Sequence, residues 1–402
     1  MFRRGYTRKG FQKALSFSAA VALLGTAGVA QASLYNYTDL SPSGFAVPPG
    51  GYGNPEPLGG TTNGSQYVGD VLILNGHFPH PIIWNTNGTF NTDLYSSFSA
   101  HAVATTGGTQ IGYSGNGESP TFDSHAILWK GTPGSFVDLH PVAFNPGQMS
   151  SANGLSLSGN HQVGFANGLG PSQNAFHAML WNNTAASAID LNPTGYVNTY
   201  ANATTDTQQV GEGATVYNNH ALLWTGTAAS VKDLHPYGLA PNGSSQAQGL
   251  DAVHQVGYVN GLDAFPGQQH AYMWTSSSIT GVDLNPSGFT TSEADGVFGN
   301  QEVGKGYSSL TGNQFHALLW NGASNAAIDL HLLLPANFQK SWATSIDGSG
   351  NVFGFAFDPN SGTHAIEWSV NSTPEPASLC LLGLGAGALM ARRRGKQVMA
   401  GK

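Results

Sequence analysis

The chain has 402 residues, of which only 9% are Asp, Glu, Lys or Arg, with 54 glycines and one cysteine. Average soluble domains are about 25% charged, so a helical cytosolic enzyme fits poorly and an exported all-β chain rich in turns fits well. Residues 33–370 keep four lysines against 21 acidic residues, a charge near −17 that disfavours nucleic acid as a partner, and they contain no thiol for a disulfide, a cysteine–zinc site or a cysteine nucleophile.

In chain order, Arg3, Arg4, Arg8, Lys9 and Lys13 precede an apolar run at residues 14–30, which ends in Ala30-Gln31-Ala32. A basic start, a short apolar stretch and a small-x-small end predict a signal peptide over residues 1–32, cut after Ala32. An uncleaved anchor is the rival reading, but the run is short and dilute for a bilayer span. Arg3-Arg4 hints at twin-arginine export; with no cofactor motif to support that, the general secretory route is expected.

Residues 33–370 repeat themselves. A His-x-x-x-Trp pair occurs seven times: His80/Trp84, His125/Trp129, His177/Trp181, His220/Trp224, His270/Trp274, His316/Trp320 and His364/Trp368. Ala follows the His in six cases and Pro81 in the first. Asp-Leu also occurs seven times, at Asp39, Asp93, Asp138, Asp190, Asp233, Asp283 and Asp329, and six of these lie nine residues after a repeat Trp. An apolar-Gly landmark recurs at Gly69, Gly112, Gly164, Gly211, Gly257, Gly304 and Gly354. Upstream of most of these stands a small residue: Ala102, Ala152, Ala201, Ala247, Ala294 or Ala343.

Each unit of about 45 to 50 residues therefore holds four short segments bounded by Gly, Asn, Ser or Pro, which read as strands. Both faces of "HALLW" are largely apolar, so the sheets should be covered on both sides. Pro42, Pro141, Pro193, Pro236 and Pro286 follow Asp-Leu and should end the fourth strand. Seven such units predict a seven-bladed β-propeller of four-stranded blades. The body opens with "YNYTDL", a fourth segment lacking its first three, and closes with three segments lacking a fourth. Joined, they complete one blade and close the ring. A linear β-solenoid is the alternative; it would not need one repeat divided between the ends.

After the body come a linker at residues 371–376 containing Pro374-Glu375-Pro376, an apolar run at 377–391, and Arg392-Arg393-Arg394. Residues 377–402 read as a membrane-spanning segment whose arginines stay in the cytoplasm.

The units, on "HAILW", "HAMLW", "HALLW", "HAYMW" and "HAIEW", resemble the extracellular HAF repeat family, with other residues where the family name has Phe. The tail resembles the PEP-CTERM sorting signal of exopolysaccharide-forming Gram-negative bacteria. That resemblance implies an exported protein that passes through an inner-membrane intermediate. A membrane protease-transpeptidase, exosortase, would then process it toward the cell surface or the extracellular space. Such a tail is an address and carries no implication of ice binding.

No nucleophile elbow, phosphate loop, zinc helix or carboxylate pair stands out, so no catalytic residue, metal or cofactor is assigned. The seven His and seven Trp read as structural: each sits in its own blade, whereas metal ligands must converge on one point. The Trp of each unit should fill the space between blades. The "DGSGN" stretch at residues 347–351 lacks the Glu and spacing of an EF-hand and reads as a turn. The irregular stretches 44–64, 164–174 and 258–269 hold Phe45, Tyr52, Phe165, Tyr258 and Phe265, a composition suited to sugar stacking and equally to packing. Two functions stay open: a non-enzymatic surface or matrix protein binding polysaccharide or a surface protein, and a secreted propeller hydrolase or lyase acting on glycans.

Overall fold

Four short strands with two apolar faces cannot stand alone; each sheet must be sandwiched between two others. The computed structural model describes residues 34–371 apart from 42–58, 61–65, 73–78, 86–89, 95–98, 116–123, 142–147, 169–174, 241, 263–267, 276–277 and 323–324. The signal segment 1–32 and the tail from 372 lie outside the described residues.

The strands form seven antiparallel four-stranded sheets. Blade 1 is β2 (Gly59–Gly60), β3 (Gln66–Leu72), β4 (Pro79–Asn85) and β5 (Phe90–Asp93), with β1 (Tyr35–Asp39) preceding it in the chain. Blade 2 is β6 (Ser99–Thr106), β7 (Thr109–Gly115), β8 (Ala126–Trp129) and β9 (Val137–Asp138). Blade 3 is β10 (Ser150–Leu155), β11 (Gln162–Asn167), β12 (Phe176–Trp181) and β13 (Ile189–Asp190). Blade 4 is β14 (Asn198–Thr204), β15 (Gln209–Ala214), β16 (Asn219–Trp224) and β17 (Lys232–Asp233). Blade 5 is β18 (Ser245–Leu250), β19 (His254–Asn260), β20 (Gln269–Thr275) and β21 (Gly281–Asp283). Blade 6 is β22 (Thr291–Phe298), β23 (Gln301–Tyr307), β24 (Phe315–Asn321) and β25 (Ala327–Asp329). Blade 7 is β26 (Lys340–Ile346), β27 (Val352–Asp358) and β28 (Gly362–Val370), completed by β1.

The split repeat closes the ring. Tyr37 stands opposite Trp368 and Asp39 opposite Ile366. The first strands of the blades touch in a closed circuit: β2 meets both β6 and β26, and the intervening strands meet in order. A solenoid has no such return contact, and closure removes the free sheet edges.

The repeated glycine has a steric cause. In six blades the first strand carries a bulge just after its Ala, as between Ala294 and Gly296. This pushes the carbonyl before that Ala toward the second strand. A Cβ on Gly304 would lie 2.0 Å from the Glu293 oxygen, and one on Gly354 1.9 Å from the Trp342 oxygen. No side chain fits, so Gly recurs.

The repeat tryptophans Trp84, Trp129, Trp181, Trp224, Trp274, Trp320 and Trp368 are all at most 1% exposed. They lie between blades: the indole N–H of Trp274 donates to the Leu234 oxygen of the preceding blade, as Trp320 does to Leu284 and Trp368 to Leu330. All seven fill space between blades, but their polar bonds differ. The indole N–H groups of Trp84, Trp129, Trp181 and Trp224 meet no acceptor among the described residues. Burying an indole is worth roughly 4–6 kcal/mol by area, against about 1–3 kcal/mol for one unmet donor, so packing alone keeps Trp at those places.

Trp84 departs furthest. Trp274 and Trp320 each pair with the residue seven further on, Gly281 and Ala327. Trp84 pairs instead with Phe90, because the register shifts between Ile83 and Trp84 and leaves Asn91 as an extra residue on β5. The equal nine-residue spacing from Trp84 to Asp93 therefore hides a different pairing. Trp84 still packs between blades 1 and 7, in a cluster with Leu40, Tyr67, Ile82, Phe353 and Ala365.

The rest of the core is built the same way. Val163, Ala178 and Leu180 of blade 3 pack against Ala201, Leu222 and Trp224 of blade 4. Among the described residues no helix is long and apolar enough to cross a membrane; the apolar run 377–391 lies outside them.

Candidate functional site

The repeated polar residues form one device, used seven times. The third strand holds His, or in blade 2 begins just after it, and the fourth holds Asp, and antiparallel pairing brings them together. His Nδ1 to Asp Oδ2 is 2.8 Å for His80–Asp93, 2.9 Å for His125–Asp138, His177–Asp190 and His270–Asp283, and 2.7 Å for His220–Asp233, His316–Asp329 and His364–Asp39. In six blades the other carboxylate oxygen accepts the backbone N–H two residues on: Ser41, His140, Asn192, His235, Asn285 and His331. The Asp thus ends its strand and fixes the following turn. Burial alone would raise the Asp39 carboxyl, but His364 and the Ser41 amide outweigh it and hold it below the usual carboxylate range. The same bond raises His364.

The residue after Asp-Leu reaches the next blade. His140, His235 and His331 place Nδ1 2.8–2.9 Å from Ser150, Ser245 and Ser341, and Asn192 and Asn285 bond Thr199 and Ser292. Burial and a stacked neighbouring imidazole push His235 and His331 down to about 4, so both are neutral in ordinary buffers. Each of those hydroxyls accepts the N–H of the Ala after the repeat His: Ala126, Ala178, Ala221, Ala271 and Ala317. The five hydroxyl residues are at most 2% exposed. A Ser–His contact here is therefore a joint between blades, out of reach of substrate. Two blades depart. In blade 7 the Ala365 N–H donates to Ser41, the residue after Asp-Leu in the same blade. Blade 1 departs for a chemical reason. Pro81 has no N–H, and the residue at the matching place in the next blade is Ala100, without a hydroxyl.

The seven pairs stand in seven blades and do not converge; among the described residues no three His, Cys, Asp or Glu side chains gather to hold a metal. In the turn at 347–351, Asp347 accepts the backbone N–H groups of Ser349 and Asn351, which closes the turn.

What does converge is a set of positions that differ between blades. Directly before the recurrent Ala stand His101, Ser151, Tyr200, Gln246, Glu293 and Trp342. Their cross-strand partners, directly after the recurrent Gly, are Tyr113, Phe165, Glu212, Tyr258, Lys305 and Phe355. All belong to the inner two strands, near the channel end from which the second-to-third-strand connections leave. The bulge residues Asn153, Asn202, Gln248, Asp295 and Thr344 point into the channel and, with Lys305, Trp342 and Phe355, line a cavity of about 340 Å³.

The chemistry of this mouth is mixed. Trp342 stacks on Phe355 with centroids 4.7 Å apart, and Lys340 lies 5.1 Å above the Trp342 ring. Phe165, Phe176 and Tyr200 form an aromatic cluster 5.2–5.7 Å between centroids. Lys305 Nζ is 2.8 Å from Glu293 and 3.6 Å from Asp295. Gln248 and Gln269 also donate to Glu293, and the Tyr258 hydroxyl donates to Gln246. Burial raises the Asp295 carboxyl to about 7, against the pull of Lys305 and with the help of neighbouring Glu293. Burial alone would lower Lys305, but the two carboxylates outweigh it and raise it.

Sequence reading passed over Glu293, Asp295 and Lys305. The available signal was variation beside invariant neighbours: the residues flanking recurrent Ala and Gly change chemistry from blade to blade. Of the aromatics it did name, Phe165 and Tyr258 sit at this mouth, while Phe45, Tyr52 and Phe265 lie outside the described residues.

No curated protein matches the chain. Among solved structures it is similar to a puromycin hydrolase (TM-score 0.56, 12% identity, 82% of this chain and 54% of that one). It is also similar to oligogalacturonate lyase from Vibrio parahaemolyticus (TM-score 0.54, 9% identity, 84% and 94% covered). A third likeness is to the β-propeller domain of the Trilobed protease from Pyrococcus furiosus, which has an open velcro topology (TM-score 0.51, 10% identity, 77% and 90% covered). The chain spans about half of the puromycin hydrolase, and at these identities the likenesses concern the fold alone. A family model, the PEP-CTERM protein-sorting motif, matches residues 372–394. The chain is thus a seven-bladed β-propeller bearing a PEP-CTERM protein-sorting motif, which implies an exported protein sorted by exosortase.

Proposed function

We propose that this is a non-enzymatic surface or matrix protein, built of HAF-type repeats, whose channel mouth binds polysaccharide of its own exopolysaccharide-producing host. The observation that carries this reading is the gathering at one channel end of the positions that vary between blades. Aromatic faces such as Trp342 and Phe355 stack on sugar rings, and amides such as Asn153, Asn202 and Gln248 bond hydroxyls. The repeat Ser and Thr hydroxyls are buried in joints between blades, and each repeat His is paired with the Asp of its own blade. A second reading, a glycan hydrolase or lyase, draws on one feature: Glu293 and Asp295 are neighbouring carboxyls, and Asp295 is raised into the range of a general acid.

One experiment separates them. The purified body, residues 33–373, is passed over the host exopolysaccharide, and the eluate is assayed for reducing ends. Retention without release, lost in Trp342→Ala and kept in Glu293→Gln, supports binding. Release of reducing ends abolished by Glu293→Gln supports the enzyme, and neither retention nor release removes both. Cleavage of the tail near Pro374–Pro376 is read by mass spectrometry of the exported form, in which peptides containing Cys380 or Met390 would show the tail retained.

A further inference from the structure

The channel has a second end of opposite character. There the turns between first and second strands surround a funnel of about 750 Å³, whose lining includes Leu155, Ala203, Leu250, Val297, Phe298 and Ile346. Gln248, Asp295 and Thr344 line both cavities and form the waist between them.

Both ends of the described chain leave on the funnel side. The Asn371 N–H donates to the Leu34 oxygen, and the Val370 N–H to Asn351 in a first-to-second-strand turn. A Cβ on Gly350, in that turn, would lie 3.2 Å from the Val370 side chain, and Tyr35 accepts from Gln301 at the edge of the neighbouring turn. From Asn371 to the apolar run beginning at Ala377 the chain can reach at most roughly 20 Å. A seven-residue strand such as β27 stands about 23 Å tall, so a linker this short holds the funnel side nearer to the start of that run than the mouth side. The funnel side exposes Leu34 (43%), Leu157 (54%), Val253 (45%), Phe298 (36%) and Val370 (42%), but the mouth side exposes Val216, Tyr217, Tyr237, Leu310 and Leu332 still more, so it is the exit point of the chain that chooses the side.

We infer that, while the tail is in the inner membrane, the funnel side is a docking surface for the lipid bilayer and holds the channel mouth pointing away from it. The inference rests on tail insertion. The body alone, acidic and without a basic patch, has no electrostatic attraction to an anionic bilayer. Attachment through a short linker raises the effective concentration of the apolar rim at the surface to the point where weak contacts suffice. Cutting the tail removes that advantage, so processing frees the body. The geometry also puts the cleavage segment at the rim of the docked face and leaves the mouth open to extended polymers.

The sole cysteine makes the test clean. In full-length chain carrying Cys380→Ser, single labels are introduced by Val253→Cys or Phe298→Cys on the funnel side and by Val216→Cys or Leu310→Cys on the mouth side. Val216, Val253 and Leu310 are exposed residues of the connections between strands, and Phe298 is the exposed last residue of β22. Each protein is reconstituted into phosphatidylethanolamine–phosphatidylglycerol vesicles containing a headgroup-spin-labelled lipid, and flotation and fluorescence quenching are measured. The expected result is flotation of the full chain, none for a chain ending at residue 373, and quenching several-fold stronger at 253 and 298 than at 216 and 310. Flotation with equal quenching on the two sides overturns the docking surface. Failure of the full chain to float overturns tail insertion, and docking with it. A funnel label shielded from solvent without flotation would place the chain's own tail there instead, and also overturns the proposal.

Discussion

The hydroxyl joint between blades offers a quantitative test through Ser341→Ala. Ser341 Oγ accepts the Ala317 N–H at 3.0 Å and lies 2.9 Å from His331 Nδ1. Ser341 and Ala317 are both 0% exposed, so no water can replace the lost oxygen. Leaving a buried donor unsatisfied costs roughly 1–3 kcal/mol. For a body of about 340 residues, an unfolding entropy near 2.1 cal/mol/K per residue converts that to a fall in Tm of roughly 1–4 °C. Blade 1 supplies the internal control. Pro81 offers no N–H, so Ala100→Ser, which restores the repeat's consensus, adds a buried hydroxyl without that donor and should also destabilise. Calorimetry and urea unfolding of residues 33–373 would read both. Wild-type stability in Ser341→Ala, or a gain in Ala100→Ser, would refute the claim that an amide's need for an acceptor sets these positions.

Trp320→Ala removes a fully buried side chain and its bond to Leu284, and should cost about 3–5 kcal/mol in the same unfolding assay. Gly304→Ala places a Cβ 2.0 Å from the Glu293 oxygen and should leave little soluble, folded protein on expression; ordinary yield and circular dichroism would contradict the steric argument. Deleting residues 33–41 removes β1 and bares the edge of β28, so on size-exclusion chromatography the deleted chain should elute as larger species than the intact body. The His364–Asp39 pair across the closure has a pH signature. His364 is raised, so its contribution is full below about 6.5, the ordinary histidine value, and is lost as pH rises through its folded value; Asp39 is lowered, so its share is present above about 3.9 and is lost on further acidification. The Tm difference between wild type and His364→Gln should therefore be larger at pH 5.5 than at pH 8.5, and a flat difference would contradict the pairing.

The blade count, the strand order and the closure by "YNYTDL" were legible in the sequence because each rests on a local demand repeated at fixed spacing. Gly304 and its counterparts recur because a carbonyl leaves no room for a Cβ, Trp320 and its counterparts because each gap between blades needs the same filling. Spacing alone did not reveal the shifted pairing of Trp84 with Phe90, since a bulge changes partners without changing the residue count. The partnership of His316 with Asp329 was half legible: spacing placed them on neighbouring strands, and antiparallel pairing then set them 2.7 Å apart. The coupling of Pro81 to Ala100 was not, since it joins different blades and appears only when packing shows which amide meets which hydroxyl. The channel mouth was least legible. Glu293, Asp295 and Lys305 follow no motif; a bulge turns Asp295 inward and cross-strand pairing carries Lys305 to it. Repetition encodes what every blade must do to pack. The chemistry of the axis depends on which departures from the repeat a closed ring brings face to face, and that is decided by tertiary structure.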